Sequence, residues 1–353
     1  MDLVLTLDYE LFGNGSGNVF QHMIEPTNKL LEICDKYNIK ITLFFEVLEY
    51  LKIKETWDSG IDMGYKLNPA MAIEKQIKEA HKKGHDIQLH LHPQWLNAKY
   101  NNKWIVDDSL WQLPKIKKED CGYSIDDLLK LGKDTIEDII KPIDNGYQCN
   151  IFRAGGYNIL PSDEVVKGMK KNGFVSDSSV YAGGYIDSKL SNHDYRSIKV
   201  KVPYWYIEDN NVLISGNKEK RSIIEFPIFA QPIRRIFKYD IQRLKVKLGN
   251  KKYALEQLNQ KTVRKSKIGK IRYLFEKEVI TWDYSLFTFR KLKRFYKKAK
   301  KIEEDSEYDL HPFVLVGHSK EFFYSKAFVD FIEYVKKDNA NFSNLVRFTN
   351  KLN

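Results

Sequence analysis

A chain of 353 residues with 42% hydrophobic and 13% aromatic content has the means to bury a real core, which excludes a disordered protein. No run approaches the ~18 apolar residues of a membrane span, and three cysteines without a close pair imply neither a disulfide framework nor a thiolate zinc site. The net charge of +11 is concentrated: residues 216–302 hold 26 Lys and Arg against 7 Asp and Glu, while the remainder is mildly acidic.

The opening segment MDLVLTLDYE enters an apparent strand at once, with no basic leader and apolar stretch, so residence in a reducing cytoplasm is expected. Strand 3–8 ends in TLDYE, where alternation puts Asp8 and Glu10 on one face. Two carboxylates at the carboxyl end of a parallel strand can divide the work, one ligating a metal and the other acting as base; an acidic strand-to-loop turn is the plainer reading. A helix follows in EPTNKLLEICDKYN, with Pro26 near its start and Leu30, Leu31 and Cys34 at helical spacing. Strand 40–46 leads to a second helix, AMAIEKQIKEAHKKG, closed by Gly84.

Strand 86–92 ends in HLHP. His90 and His92 share a face at i, i+2, so both imidazoles can reach one ion, and neutral imidazole suits zinc and other divalent first-row metals. His85, at the opposite end of that strand, is read as structural. Residues 96–148 look like an insertion whose main helix is SIDDLLKLGKDTIEDIIK. Strand 149–153 runs into FRAGGYN: Arg153 can pair with a carboxylate and lower its pKa, and Gly155 and Gly156 allow close backbone approach to a ligand. Strand 174–177 ends at Asp177, a candidate partner for Arg153 or a helix cap. After strand 222–228 comes a basic, helix-like stretch at 232–302, read as an appendage. Strand 313–318 ends in VGH, delivering His318 from an otherwise apolar run. Strands apolar on both faces, alternating with helices, predict a parallel sheet or barrel in a single domain, 1–353. The polar groups all fall at carboxyl ends of its strands.

This order of motifs resembles the polysaccharide deacetylases, the NodB-homology proteins of carbohydrate esterase family 4. The resemblance implies a distorted (β/α)7 barrel with helical insertions, which removes N-acetyl groups from sugars with a divalent metal: zinc first, with cobalt, nickel or manganese as alternatives. By that resemblance Asp8 is the general base, Glu10 the metal carboxylate and His90 the first metal histidine. The family's second metal histidine falls where this chain has Gln94; His92 is assigned the role, with Gln94 or water as the alternative, and Asp8 itself remains an alternative to Glu10. FRAGGY makes Arg153 the residue that tunes the base, with the backbone near Tyr157 holding an oxyanion and Gly155, Gly156 and Trp95 lining the substrate. Asp177 matches the fourth motif, and His318 is the general acid.

A cytoplasmic enzyme of this kind would act on an acetylated sugar carried by a nucleotide or a lipid, in lipopolysaccharide, O-antigen or capsule biosynthesis. The basic segment suits a pyrophosphate or an anionic membrane surface, and SLFTFRKLKRFYKKAKKI mixes Leu286, Phe287, Phe289, Phe295 and Tyr296 with cations as interfacial helices do. The plainer reading of that stretch is a solvated helix face. No zinc-finger, recognition-helix or RNP signature accompanies the charge, so nucleic acid is not among the expected partners. Two rivals stand beside the enzyme: an inactive barrel that binds glycan or a partner enzyme, and a metal-assisted amidohydrolase on a non-sugar amide.

Overall fold

The computed structural model describes residues 1–238, 241–249 and 273–353. Seven parallel strands build the core: β1 (Asp2–Tyr9), β2 (Thr42–Glu46), β3 (Asp86–Leu91), β4 (Ile151–Ala154), β5 (Ser176–Asp177), β6 (Ile224–Glu225) and β7 (Pro312–His318). They pair in the order β6-β5-β4-β3-β2-β1-β7. The ring closes just beyond β6, where Ile228 bridges both Tyr181 and Val314 and the Phe229 N–H donates to the Val314 carbonyl at 2.9 Å. A closed ring leaves no barrel strand with a bare edge, which is why runs such as Leu3–Leu5 and Phe313–Val316 can be apolar on both faces. The barrel is therefore the seven-stranded one expected, with β5 and β6 reduced to two residues each.

Helices cover the outside. Between β1 and β2, α1 (Glu25–Lys36) starts with Pro26 in its first turn and buries Leu30, Leu31 and Cys34. α2 (Val47–Asp58) and α3 (Pro69–Lys82) connect β2 to β3; Glu46 caps the first and Asn68 the second, each accepting two backbone N–H groups. α4 (Ile125–Ile140) opens with a Ser124–Asp127 capping box, and α5 (Asp163–Lys171) packs beside it. Farther along lie α6 (Ile241–Gly249), α7 (Phe289–Glu304), α8 (Lys326–Lys337) and α9 (Leu345–Leu352). α9 closes the amino-terminal mouth of the barrel: the Leu345 N–H donates to Thr42 Oγ1, and Thr349 Oγ1 lies 2.8 Å from Ser176 Oγ.

The two expected insertions shrink. α4 packs on β3 and α5, so it is the crossover helix from β3 to β4, and only 96–124 departs from the barrel plan. That stretch forms a small hairpin, Lys99–Tyr100 with Trp104–Ile105, and short turns that fold back over the carboxyl-terminal mouth. Within 232–302, Ala230–Arg234 pairs antiparallel with Lys277–Thr281, and α7 returns the chain to β7. Residues 239–240 and 250–272 of the expected appendage lie outside the described residues.

The interfacial reading of 285–302 fails on burial. Leu286, Phe287, Phe295 and Tyr296 are all buried, and Phe295 meets Phe229, Trp282 and Phe287. A helix that lies on a barrel and one that lies on a bilayer share the 3.6-residue period, and here the apolar stripe is used by the barrel. Phe295→Ala should consequently cost about 3–5 kcal/mol of unfolding free energy in a urea melt; a change within ±0.5 kcal/mol, typical of a surface site, would contradict this placement.

Candidate active site

β1 sends Thr6, Asp8 and Glu10 into the barrel, and Asp8 stands in register with Phe44 on β2 and His318 on β7. His90 stands in register with Glu46 on β2 and Arg153 on β4. Five strand ends thus deliver polar side chains to the carboxyl-terminal mouth, the rim where barrels of this kind place their chemistry.

Arg153 crosses the interior. Its Nη1 donates to Asp8 Oδ1 at 2.6 Å and to Thr6 Oγ1 at 2.9 Å, and its guanidinium lies over the Phe44 ring at 4.0 Å. Nε donates to the Ser178 carbonyl and Nη2 to Ser178 Oγ. Asp177, expected to hold this arginine, does not reach it. Register pairs Asp177 with Phe152, one residue off Arg153, so its side chain leaves the barrel on the opposite face. There it accepts from the Ser179 N–H and Oγ and lies against Glu225 in a buried acid pair. Burial raises both carboxyls of that pair, and Asp177 raises Glu225 further while the hydrogen bond from Glu225 holds Asp177 back.

Glu10, His90 and His92 bring one ligand atom each to within 4.8 Å of one another. Glu10 Oε2 lies 2.8 Å from His92 Nε2 and 3.6 Å from His90 Nε2. The Nδ1–H of His90 donates to the Arg153 carbonyl at 2.8 Å, leaving its Nε2 lone pair bare. His92 Nδ1 lies 3.0 Å from the Gln94 amide nitrogen, while Gln94 Oε1 is buried without a partner. A half-turn of that amide lets the oxygen accept Nδ1–H and bares the second Nε2 as well. Both Nε2 atoms are buried and turned on the Glu10 carboxylate, with no other hydrogen-bond partner among the described residues. Two imidazole nitrogens and a carboxylate oxygen on one point fit a divalent cation, with coordination positions left open. His92 therefore stands at the focus and Gln94 behind it, as its support.

The two glycines serve this cluster. A Cβ on Gly155 would come within 2.5 Å of the Leu91 carbonyl and 2.7 Å of the His92 ring, so the close approach is to a histidine. Gly156 and Tyr157 both take positive φ, turning the chain so that the Tyr157 hydroxyl lies 3.4 Å from Asp8 Oδ2 and 3.5 Å from His318 Nε2. The Tyr157 carbonyl accepts from Tyr195. Trp95 is not at the mouth: it is buried against Trp104, and Trp111, 6.2 Å from the His92 ring, stands there instead. His85 accepts from the Ile41 N–H and contacts Asp35, away from the cluster.

Residues that the strand pattern did not mark complete the site. Lys320 Nζ is 2.6 Å from Glu10 Oε1, and Ser319 Oγ donates to the Glu10 carbonyl. Glu321 Oε2 lies 3.4 Å from His318 Nδ1, and with Asp283 these form a second group of ligand type, although Asp283 Oδ1 already accepts two N–H groups. Their only signal was position, in the SKE that follows the strand-ending His318. Electrostatics sorts the groups. Burial would raise Asp8, but Arg153 and then His90 and His318 hold it below the usual carboxylate range. Burial would likewise raise Glu10, which Lys320 and His92 hold well below it. Burial alone would pull His318 down; Glu321 and Asp8 hold it up, at about 9.

The sequence matches no family model and no curated protein. Among solved structures it is similar to a candidate polysaccharide deacetylase from Mycobacterium smegmatis, at 13% identity over 99% of this chain and 89% of that one, with a TM-score of 0.50. Puue allantoinase and a further candidate polysaccharide deacetylase, from Pseudomonas aeruginosa PAO1, cover the same shares at 13% identity, with TM-scores of 0.47 and 0.46. The fold is that of the polysaccharide deacetylase barrel.

If Gly155 makes the room that His92 needs, Gly155→Ala should weaken Co²⁺ binding by about tenfold to a hundredfold. Titration followed by the visible absorption of the bound ion reads this directly, and unchanged affinity would show that the contact does not matter.

Proposed function

We propose that this barrel is a metal-dependent hydrolase that removes an N-acetyl group from a sugar. The observation that carries the reading is the pair of buried Nε2 atoms of His90 and His92, both turned on the Glu10 carboxylate beside the Asp8–Arg153 pair. A divalent cation bound by Glu10, His90 and His92 would polarise the amide carbonyl and acidify a water. Zinc suits a two-nitrogen, one-oxygen set with open positions best; cobalt, nickel and manganese are the alternatives.

The chain's own groups supply the proton chemistry. Arg153 keeps Asp8 ionised at neutral pH, ready to accept a proton from the attacking water at Oδ2, the oxygen that Arg153 leaves free. His318, held protonated by Glu321 and Asp8, can donate from Nε2 to the departing amine. The Tyr157 hydroxyl, between the two, is placed to position the acyl group. Trp111 packs edge-to-face with the His92 ring beside these groups. Asp177, turned away, supports β5 and β6 without touching the reaction.

The substrate we infer is an acetylated sugar on a nucleotide or lipid carrier. Its place would be surface-polysaccharide assembly (lipopolysaccharide, O-antigen or capsule) on the cytoplasmic side of the membrane, as the motif resemblance and the basic segment suggest. One observation favours the inactive-barrel reading: Lys320 already neutralises Glu10 at 2.6 Å. Metal analysis separates the two, because turnover needs a stoichiometric ion.

Asp8→Asn and His318→Ala should each reduce acetate release from acetylated nucleotide- or lipid-linked sugars by about a hundredfold or more, with the melting curve still cooperative. Full activity in both would end this assignment. The pH profile gives a second check. The His318 proton is held fully below the ordinary imidazole range and lost as pH rises through about 9, so the alkaline limb of kcat should lie above the usual imidazole value. Glu321→Gln should move that limb toward lower pH; a limb that stays in place would mean that Glu321 does not hold His318.

A further inference from the structure

The rim beside His318 carries an apolar face that the catalytic reading does not use. α6, with the sequence IQRLKVKLG, buries Gln242 and Val246. Gln242 Nε2 donates to the Ser285 carbonyl at 3.2 Å, and Ser285 Oγ accepts from the His318 N–H at 3.1 Å. Arg243 acts electrostatically on both Asp283 and Glu321. The helix is thus fixed to the mouth of the site, two hydrogen bonds from the strand end that carries the proposed acid.

Its other side faces outward. Ile241, Leu244 and Leu248, at helical spacing, are 65%, 56% and 61% exposed. Ile236 and Phe237, just before the helix, and Phe275 are also exposed. Arg234, Lys245 and Lys277 are exposed as well, and the helix sequence carries three cations and no acid. A core helix would turn such a stripe inward, as α7 does. An apolar stripe turned outward and edged by Lys and Arg has the chemistry of an interfacial helix on an anionic bilayer. No helix among the described residues is long and apolar enough to cross a membrane, so the contact is peripheral.

We propose that α6 and its apolar surroundings dock the barrel on an anionic lipid surface with the catalytic mouth beside the headgroups, so that the acetylated sugar arrives on a lipid carrier. The docking stands on the exposed face alone; the identity of the substrate rests on the deacetylase reading.

Flotation of the full chain with phosphatidylglycerol-containing vesicles and with pure phosphatidylcholine vesicles tests it, with no sugar present. The protein should float with the anionic vesicles, lose that binding as salt is raised, and lose it by about tenfold in the Leu244→Glu, Leu248→Glu double variant. Asp8→Asn should float like the unchanged protein. Equal flotation on neutral vesicles, or unaltered flotation of the double variant, would overturn the docking. So would a dimer in sedimentation that the double variant splits, since a second copy would then own the stripe. Flotation without acetate release would count against the deacetylase reading alone, and acetate release without flotation against the docking alone.

Discussion

The buried Arg153 guanidinium is the constraint around which this barrel is organised. It is fully buried, and it ties four strands to its own: β1 through Thr6 and Asp8, β2 through the Phe44 ring, the end of β5 through Ser178, and β3 through its carbonyl to His90. A guanidinium without partners in such a place would be strongly destabilising, and breaking one buried pair typically costs about 3–5 kcal/mol. Each of its three nitrogens donates to at least one buried partner. The same residue therefore sets the charge of the candidate base and the tautomer of the first candidate metal ligand.

The site that results has two halves, divided along one strand. Asp8 faces the His318 and Tyr157 side, while Glu10, two residues on, faces His90, His92 and Lys320. Each half contains a cation and an anion of its own, Arg153 with Asp8 and Lys320 with Glu10, and His90 acts on both carboxylates. Burial is tolerated because charge is balanced locally. The acids left without such partners behave differently: Glu46 and Glu49, buried near Glu10, are pushed well above the carboxylate range, Glu46 accepting two backbone N–H groups and Glu49 that of Leu11.

Much of this was legible from residue order. Seven apolar runs marked the seven strands, and Asp8, Glu10, His90, His92, Arg153 and His318 were found at strand ends, where the structure brings them together. Asp177 was misplaced because a strand of two residues has no alternation to read, and a one-residue offset reverses the face. Trp95, expected beside the substrate, packs inward instead because the fold of 96–124 is set by tertiary packing, such as the Trp95–Trp104 contact, which no period announces. Lys320 and Glu321 were missed because charges after a strand usually face water. α7 misled for the opposite reason: its strong amphipathic pattern was real, and only packing decided which apolar surface it would meet.

β1 also has a history in time. Its neighbour on one side, β2, follows within about forty residues, but on the other side Asp2 pairs with Pro312 and Asp8 with His318. During synthesis at about 5–20 residues per second, that flank stays unpaired for roughly 15–60 s. For that interval the nascent chain offers an apolar, half-satisfied edge to any strand it meets. The barrel cannot close early, because the strand that closes it is also the one that delivers His318. A polypeptide interrupted before β7 would both lack His318 and be adhesive, which ties the quality of folding to completion of the carboxyl-terminal mouth.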